Sequence, residues 1–453
     1  MSTSAQHRWE PFHTLLACLL LTYVWRVQDF FPLLSKIKIV TLVSAAALLV
    51  YVIRGDARHF GAVARHPAFR PAVLMLALMV LSVPGGVYPG YSFRFILEDH
   101  IKTLLVAAML ATGVQASSQV DRLAAVHVLG ALLYSVMIAL MFDIGPNGRL
   151  AGLAYYDAND VGMLLVATLP LTVYFLRPAA PTWQRLLALV GAAFALLTIV
   201  KTGSRGAFLG LLAVTAAMLF GFTAFSARVR AGSVAAIAAG MLALGSQQYW
   251  AMMGTLLNPQ ADYNWVGGEQ SGRMEVWKRG MGYMADNPVL GVGANAFWVA
   301  EGRLSEMAAL QQYGIGMKWS AAHNSFVQIG AELGVIGLVA FCVMLARAVL
   351  TAHRLRALAP GATPDEVALG QALAASLVGY AVAGFFLSQA YSVFLYSVVA
   401  MIVALHHVVA ARAPLAVPAP AGTAPVRRRG GGWGPAPVPV PALGRAPFSP
   451  PAP

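Results

Sequence analysis

The stretch Ser320-Ala-Ala-His323-Asn-Ser-Phe-Val-Gln-Ile-Gly-Ala-Glu332-Leu-Gly-Val-Ile-Gly337 carries a polar segment, 248–322, into a long apolar run. His323 stands at the junction. A histidine at the mouth of a membrane helix is wet on one side and shielded on the other, a setting in which its basicity can be tuned. A lone His-Asn-Ser there also reads as an ordinary interfacial cap, so its weight depends on the rest of the chain.

The apolar run is typical of the whole sequence. Of 453 residues, 58% are hydrophobic and 11% charged, and the mean hydropathy is +0.68. Soluble domains carry about 25% charged residues, so the composition is that of an all-α integral membrane protein. The net charge of +13 does not indicate a nucleic-acid partner, because most of the excess sits in short loops between apolar runs and in the tail. Cys18 and Cys342 both lie in apolar runs and offer neither a disulfide framework nor metal-ligand spacing. The first run, Leu15 to Trp25, is followed by Arg26, Asp29 and Pro32 rather than a small-residue cleavage site, and reads as a retained span.

Twelve spans are expected, at about 12–27, 38–54, 70–85, 101–116, 123–142, 160–177, 184–201, 206–226, 231–247, 324–346, 369–387 and 390–410. With a cytoplasmic N-terminus, every inner loop holds arginine: Arg54, Arg58, Arg65 and Arg70; Arg122; Arg177 with Arg185; Arg228 with Arg230; and Arg347, Arg354 and Arg356. That bias puts both termini inside. The expected organisation is spans one to nine over 1–247, a helical outer cap over 248–322, spans ten to twelve over 323–411, and a disordered cytoplasmic Pro/Ala/Gly-rich tail over 412–453. Within the cap, Gly272 to Ala285 has helical spacing and stops at Asn287-Pro288; Leu304 to Gln312 is a second helical stretch.

Polar chemistry gathers on the outer face. Lys201-Thr-Gly-Ser-Arg205-Gly is a basic link flanked by glycine, where backbone and guanidinium can approach phosphate oxygens; it also fits a tight turn with snorkelling cations. Arg273, in Ser271-Gly-Arg, falls at the start of the cap helix, where a cation gains nothing from the helix dipole and calls for an anionic partner, Glu275 or a substrate phosphate. Asn287-Pro-Val-Leu-Gly-Val-Gly reads as scaffold. Asp157 and Asp160, in Asp-Ala-Asn-Asp-Val-Gly, read as N-caps. Glu332 lies nine residues beyond His323, about half a turn round a straight helix, so the two form no acid–base pair; Glu332 is expected to bond inside the bundle, with Gly330, Gly334 and Gly337 marking close helix packing. No metal-ligand motif stands on the outer side, where Glu98-Asp99-His100 is the nearest approach to a metal site, and the inner loops carry no nucleotide signature; no cofactor is therefore expected and arginines would balance an anionic substrate.

In order, Asp157-Ala-Asn-Asp-Val-Gly162, Thr202-Gly-Ser-Arg-Gly-Ala207, Ser-Gly-Arg273 with Trp277, Asn287-Pro-Val-Leu-Gly-Val-Gly and Ala-His323-Asn-Ser-Phe followed by Glu332-Leu-Gly resemble the O-antigen ligase family of polytopic bacterial inner-membrane glycosyltransferases. The resemblance spans about 150–345. It implies a donor of undecaprenyl diphosphate-linked O-antigen at the periplasmic leaflet, a lipid A-core acceptor, and transfer without metal or nucleotide. By position, Arg205 and Arg273 match the family's diphosphate-binding arginines and His323 its essential histidine; Lys201 and Asn324 are further candidate substrate-binding residues. On this reading His323 is the general base, the arginines stabilise the leaving diphosphate, and displacement inverts the anomeric carbon. An O-antigen polymerase or a protein O-oligosaccharyltransferase would use the same donor, though one large outer loop rather than two favours the ligase. A solute transporter is the reading from another class; its paired mid-bilayer polar groups are not found, since Glu332 is the one strong mid-span acid.

Overall fold

Side-chain oxygens open many of the helices. Asp157, Ser204, Ser226, Ser246, Asn324 and Thr363 each accept a hydrogen bond from the first turn of the helix that follows. Glycines in the left-handed region close others, as Gly55 and Gly203 do. The structure is a computed structural model and describes residues 9–145, 148–153, 155–258, 272–306, 308, 320–358 and 361–412. It is all-α; among the described residues the extended pairing is a single bridge between Ile144 and Leu150.

The N-terminal part holds α1 (Pro11–Leu19), α2 (Ile39–Arg54), α3 (Arg70–Ser82), α4 (Pro89–Phe95), α5 (Ile101–Gly113) and α6 (Ser117–Met141). Then come α7 (Ala158–Tyr174), α8 (Thr182–Thr202), α9 (Arg205–Gly221), α10 (Ala227–Leu244) and α11 (Gln247–Gly254). The polar segment contributes α12 (Arg273–Asp286) and α13 (Phe297–Arg303), and the chain returns through α14 (Ser325–His353), α15 (Pro364–Gly384) and α16 (Val393–Ala410). The stretch 272–285 is thus helical and stops before Pro288. Most of 304–312, the second expected cap helix, lies outside the described residues, as does the tail from 413 onward.

Six of these helices, α6, α8, α10, α14, α15 and α16, are long and apolar enough to cross a membrane, and α2 forms a seventh such element with the bent segment after it. Pro11–Val24, α3, α7 and α9 are shorter apolar helices, which the twelve-span count takes as crossings too. Burial separates centre from rim. The most apolar window of α15 is 83% buried and that of α10 only 11%, so α15 runs through the middle of the bundle while α10 turns its side chains outward. Leu140, Phe220 and Leu242 stand exposed, as suits side chains facing hydrocarbon.

Candidate active site

α14 is a broken helix. Gly334 has φ 71° and ψ −171°, which interrupts the ladder at Glu332-Leu-Gly. The freed backbone groups are taken up by the loop after α12. Val335 N–H donates to the Pro288 carbonyl at 2.8 Å, Val292 N–H to Ala331 at 2.8 Å, and Gly293 N–H to Glu332 at 3.1 Å. Irregular backbone is tolerated at membrane depth only when protein satisfies it in this way. Approach is so close that a Cβ on Gly291 would lie 2.3 Å from the Glu332 carbonyl carbon, and one on Gly334 2.4 Å from the Pro288 oxygen. The buried Glu332 carboxylate accepts from Asn295 N–H (3.0 Å), Phe297 N–H (3.2 Å) and the Tyr391 hydroxyl (2.6 Å). Asn287-Pro-Val-Leu-Gly-Val-Gly and Glu332-Leu-Gly are therefore two halves of one joint. The expected inward bonding of Glu332 is present; Gly334 is a break point, in addition to any packing role.

The second organising element is the link between α15 and α16. Ser388 Oγ accepts the His323 N–H at 2.8 Å. Ser325 Oγ donates to the Leu387 carbonyl (2.7 Å) and accepts Gln389 N–H (3.1 Å). Gln389 Nε2 reaches Asp160 Oδ1 at 2.9 Å, and its carbonyl accepts the Tyr380 hydroxyl at 2.5 Å. The Phe386 carbonyl faces Arg273 Nη1 at 3.5 Å, and the Phe386 Cβ would lie 3.0 Å from a Cβ on Gly206, the neighbour of Arg205. The short link thus touches the surroundings of His323, Arg205, Arg273 and Asp160 together. Reading the sequence there yields only a tight turn, because the link binds largely through backbone carbonyls that every residue type carries.

Local chemistry fixes each candidate. His323 has φ 47°, a left-handed conformation rare for a residue with a Cβ, just ahead of the cap. Asn324 is the buried N-cap of α14: its Oδ1 accepts from Phe326 and Val327 N–H at 2.9 and 3.1 Å. Arg273 opens α12, and Trp277, one turn on, donates its indole N–H to the Ala322 carbonyl at 2.9 Å while its ring meets Phe385 at 5.3 Å. Arginine and tryptophan on one helix face thereby address the link and the approach to His323. Glu275, the acid expected as one partner of Arg273, is bonded by Lys278 at 2.7 Å.

α8 ends at Thr202, Gly203 turns with φ 56°, and Ser204 caps α9, so Arg205 begins a helix. Arg205 Nη1 donates to Thr255 Oγ1 at 2.9 Å. Lys201 is half-buried and its carbonyl accepts Leu150 N–H at 2.9 Å. Arg149, not singled out in the sequence, donates to the Thr202 carbonyl at 3.2 Å and to Asn159 Oδ1 at 2.6 Å, joining the Thr-Gly-Ser-Arg and Asp-Ala-Asn-Asp motifs. The Gly148-Arg149 pair was its one local sign. Asp157 is an N-cap as expected, accepting from Asn159 and Asp160 N–H; Asp160 adds the contact to Gln389.

Behind the site, Arg279 pairs with Glu301 at 2.5 Å and Tyr283 donates to Glu301 at 2.8 Å, clamping α12 to α13. Burial, then the neighbouring Glu301, holds the Tyr283 phenol above its ordinary value. His100, from the run considered for a metal, is buried among Phe95, Tyr391 and Tyr396, while Glu98 pairs with Arg94.

Residues 190–342 match the family model described as O-antigen ligase. No curated protein is matched by the chain. The matched interval runs from within α8 to within α14 and contains Lys201, Arg205, Arg273, His323, Asn324 and the Glu332–Gly334 break. Residues 190–342 thus form a segment similar to the O-antigen ligase family.

Proposed function

We propose that the protein is a metal-independent glycosyltransferase of the inner membrane that moves O-antigen from undecaprenyl diphosphate to a sugar hydroxyl of lipid A-core. The observation that carries this reading is the Phe386–Gln389 link, which contacts His323, Arg273 and the neighbour of Arg205 within four residues. In the proposed step the acceptor oxygen bonds to the anomeric carbon as the bond from that carbon to the diphosphate oxygen breaks. His323 takes the acceptor's proton, and the electron pair leaves with the diphosphate, where Arg205 and Arg273 stabilise the growing charge. A single displacement inverts the anomeric configuration. Both termini are cytoplasmic in this scheme and the site opens to the periplasm, with Lys201 at its edge.

The test is transfer by purified protein from lipid-linked glycan to lipid A-core, with and without chelator. His323→Ala and Arg273→Ala should each lower kcat at least about 100-fold while the protein stays folded. Full activity of His323→Ala, retention of anomeric configuration, or loss of activity with chelator would each refute part of the scheme. In cells, loss of the protein should leave lipopolysaccharide without O-antigen while lipid-linked polymer accumulates. Single-repeat O-antigen on the core would instead indicate a polymerase, and loss of glycoproteins alone a protein transferase.

A further inference from the structure

An aromatic and basic group adjoins the Glu332 joint through Asn295. Tyr88, 45% exposed, stacks on Tyr91 of α4 with ring centroids 6.0 Å apart and 19° between planes. Trp298, in the first turn of α13, meets Tyr91 edge-on at 5.1 Å. Asn295 Nδ2 donates to the Tyr91 hydroxyl at 3.1 Å. Arg303, at the end of α13, is held by the Val87 carbonyl at 3.0 Å, with its guanidinium 5.1 Å over the Tyr88 ring. It is exposed, and among the described residues it makes no ion pair.

These side chains come from two segments roughly 200 positions apart in sequence, and the backbone fixes them to each other. Val87 N–H donates to the Val292 carbonyl at 2.8 Å, and a Cβ on Gly293 would lie 3.2 Å from the Gly86 Cα. Asn295, which holds Tyr91 through its side chain, holds Glu332 through its backbone, and Tyr391 donates to the same carboxylate. The group is therefore rigidly tied to the element that carries the α15–α16 link.

Aromatic residues at a membrane interface ordinarily sit among headgroups as anchors. Here the rings are set against one another, with phenol hydroxyls, an indole and a guanidinium around them. A pyranose matches that arrangement. Its C–H face packs on an aromatic ring, its hydroxyls exchange hydrogen bonds with the exposed phenol of Tyr88, and a carboxylate or phosphate on it pairs with guanidinium. We propose that Tyr88, Tyr91, Trp298 and Arg303 form a saccharide subsite that holds an acidic sugar of the acceptor glycan beside the transfer site. The assignment of that sugar to the acceptor rests on the transferase reading above.

The experiment uses the full chain in detergent, deacylated lipid A-core oligosaccharide as the titrant in calorimetry, and the transfer assay on the same preparation. Tyr88→Ala combined with Arg303→Gln should weaken saccharide binding and raise the acceptor KM by about tenfold or more, an effect of about 1.4 kcal/mol. Donor KM, kcat and thermal midpoint should stay unchanged, since both side chains are exposed. Equal binding and equal acceptor KM in the variant would overturn the subsite and make the group an interfacial anchor. Wild-type protein that transfers glycan yet binds no saccharide would overturn it too, leaving the transferase reading intact. Binding that the variant loses, in a wild type that transfers nothing, would uphold a saccharide site while refuting the transferase reading.

Discussion

His323 precedes its helix in a left-handed backbone conformation, and the bond that holds it there comes from another helix pair. Its N–H is bound by Ser388 Oγ at 2.8 Å. An unfavourable φ of this kind costs about 1–3 kcal/mol and persists only where the surroundings over-determine it. Ser388→Ala should therefore lower kcat about tenfold or more with little change in donor KM, because the imidazole loses its placement rather than its chemistry. Ser388→Thr, which keeps the hydroxyl, should recover most of the rate. Equal rates for serine and alanine would remove Ser388 as a positioning residue. At the other end of the bundle, His66 has a different task. Its Nδ1 accepts the Ala68 N–H at 3.2 Å, so the ring proton resides on Nε2 and is donated to His406 Nδ1 at 3.2 Å. Burial, then the proximity of His406 and His407, lowers His66 from the ordinary 6.5 to about 4. The unfolded chain takes up a proton there before the folded one does. The contribution to stability is thus complete above about pH 6.5 and is lost as pH falls toward 4. The thermal midpoint should drop between about pH 7 and 5 in the wild type and drop less in His66→Gln; parallel curves would refute the assignment.

At the scale of elements, the decisive feature is that α14 is broken and mended by a loop from the polar segment. Gly334 must adopt φ 71°, and Gly291 must adopt φ 64° against the Glu332 backbone. Alanine at either position adds left-handed strain of about 1–2 kcal/mol to a steric overlap. Gly334→Ala and Gly291→Ala should each lower the thermal midpoint and the transfer rate together, whereas Gly254→Ala, where a Cβ meets nothing within 4 Å, should leave both unchanged. Native-like midpoints for the first two would show that the joint is not required. The break was not legible in Ser320–Gly337, because an apolar run with three glycines looks alike whether they pack helices or interrupt one. What distinguishes them is the Pro288–Gly293 backbone, some forty residues upstream. Helix starts at Asp157 and Asn324 were legible, since an N-cap depends on the residue itself and its next three neighbours.

For the whole molecule, apolar runs set where the helices lie, and the ordered motifs carry the family resemblance; neither reveals which loops meet. Arg149 and Gln389 escaped notice because their importance comes from partners 53 and 229 positions away. The orientation expected from arginine placement, by contrast, yields a prediction for the intact protein. Tyr88 and Val289 belong to segments expected outside, and both are exposed; Arg356, also exposed, belongs to a segment expected inside. Single cysteines at these positions, in a background lacking Cys18 and Cys342, should divide when intact cells with a permeabilised outer membrane meet a membrane-impermeant maleimide. Tyr88→Cys and Val289→Cys should label at once, and Arg356→Cys only after the inner membrane is opened. Because Val292 bonds Ala331 and Val87 bonds Val292, positions 88 and 289 are tied to the same end of α14 as His323 and must share its side. Labelling of Arg356→Cys alone in intact cells would put the histidine and its arginines in the cytoplasm, where a periplasmic transfer reaction could not use them.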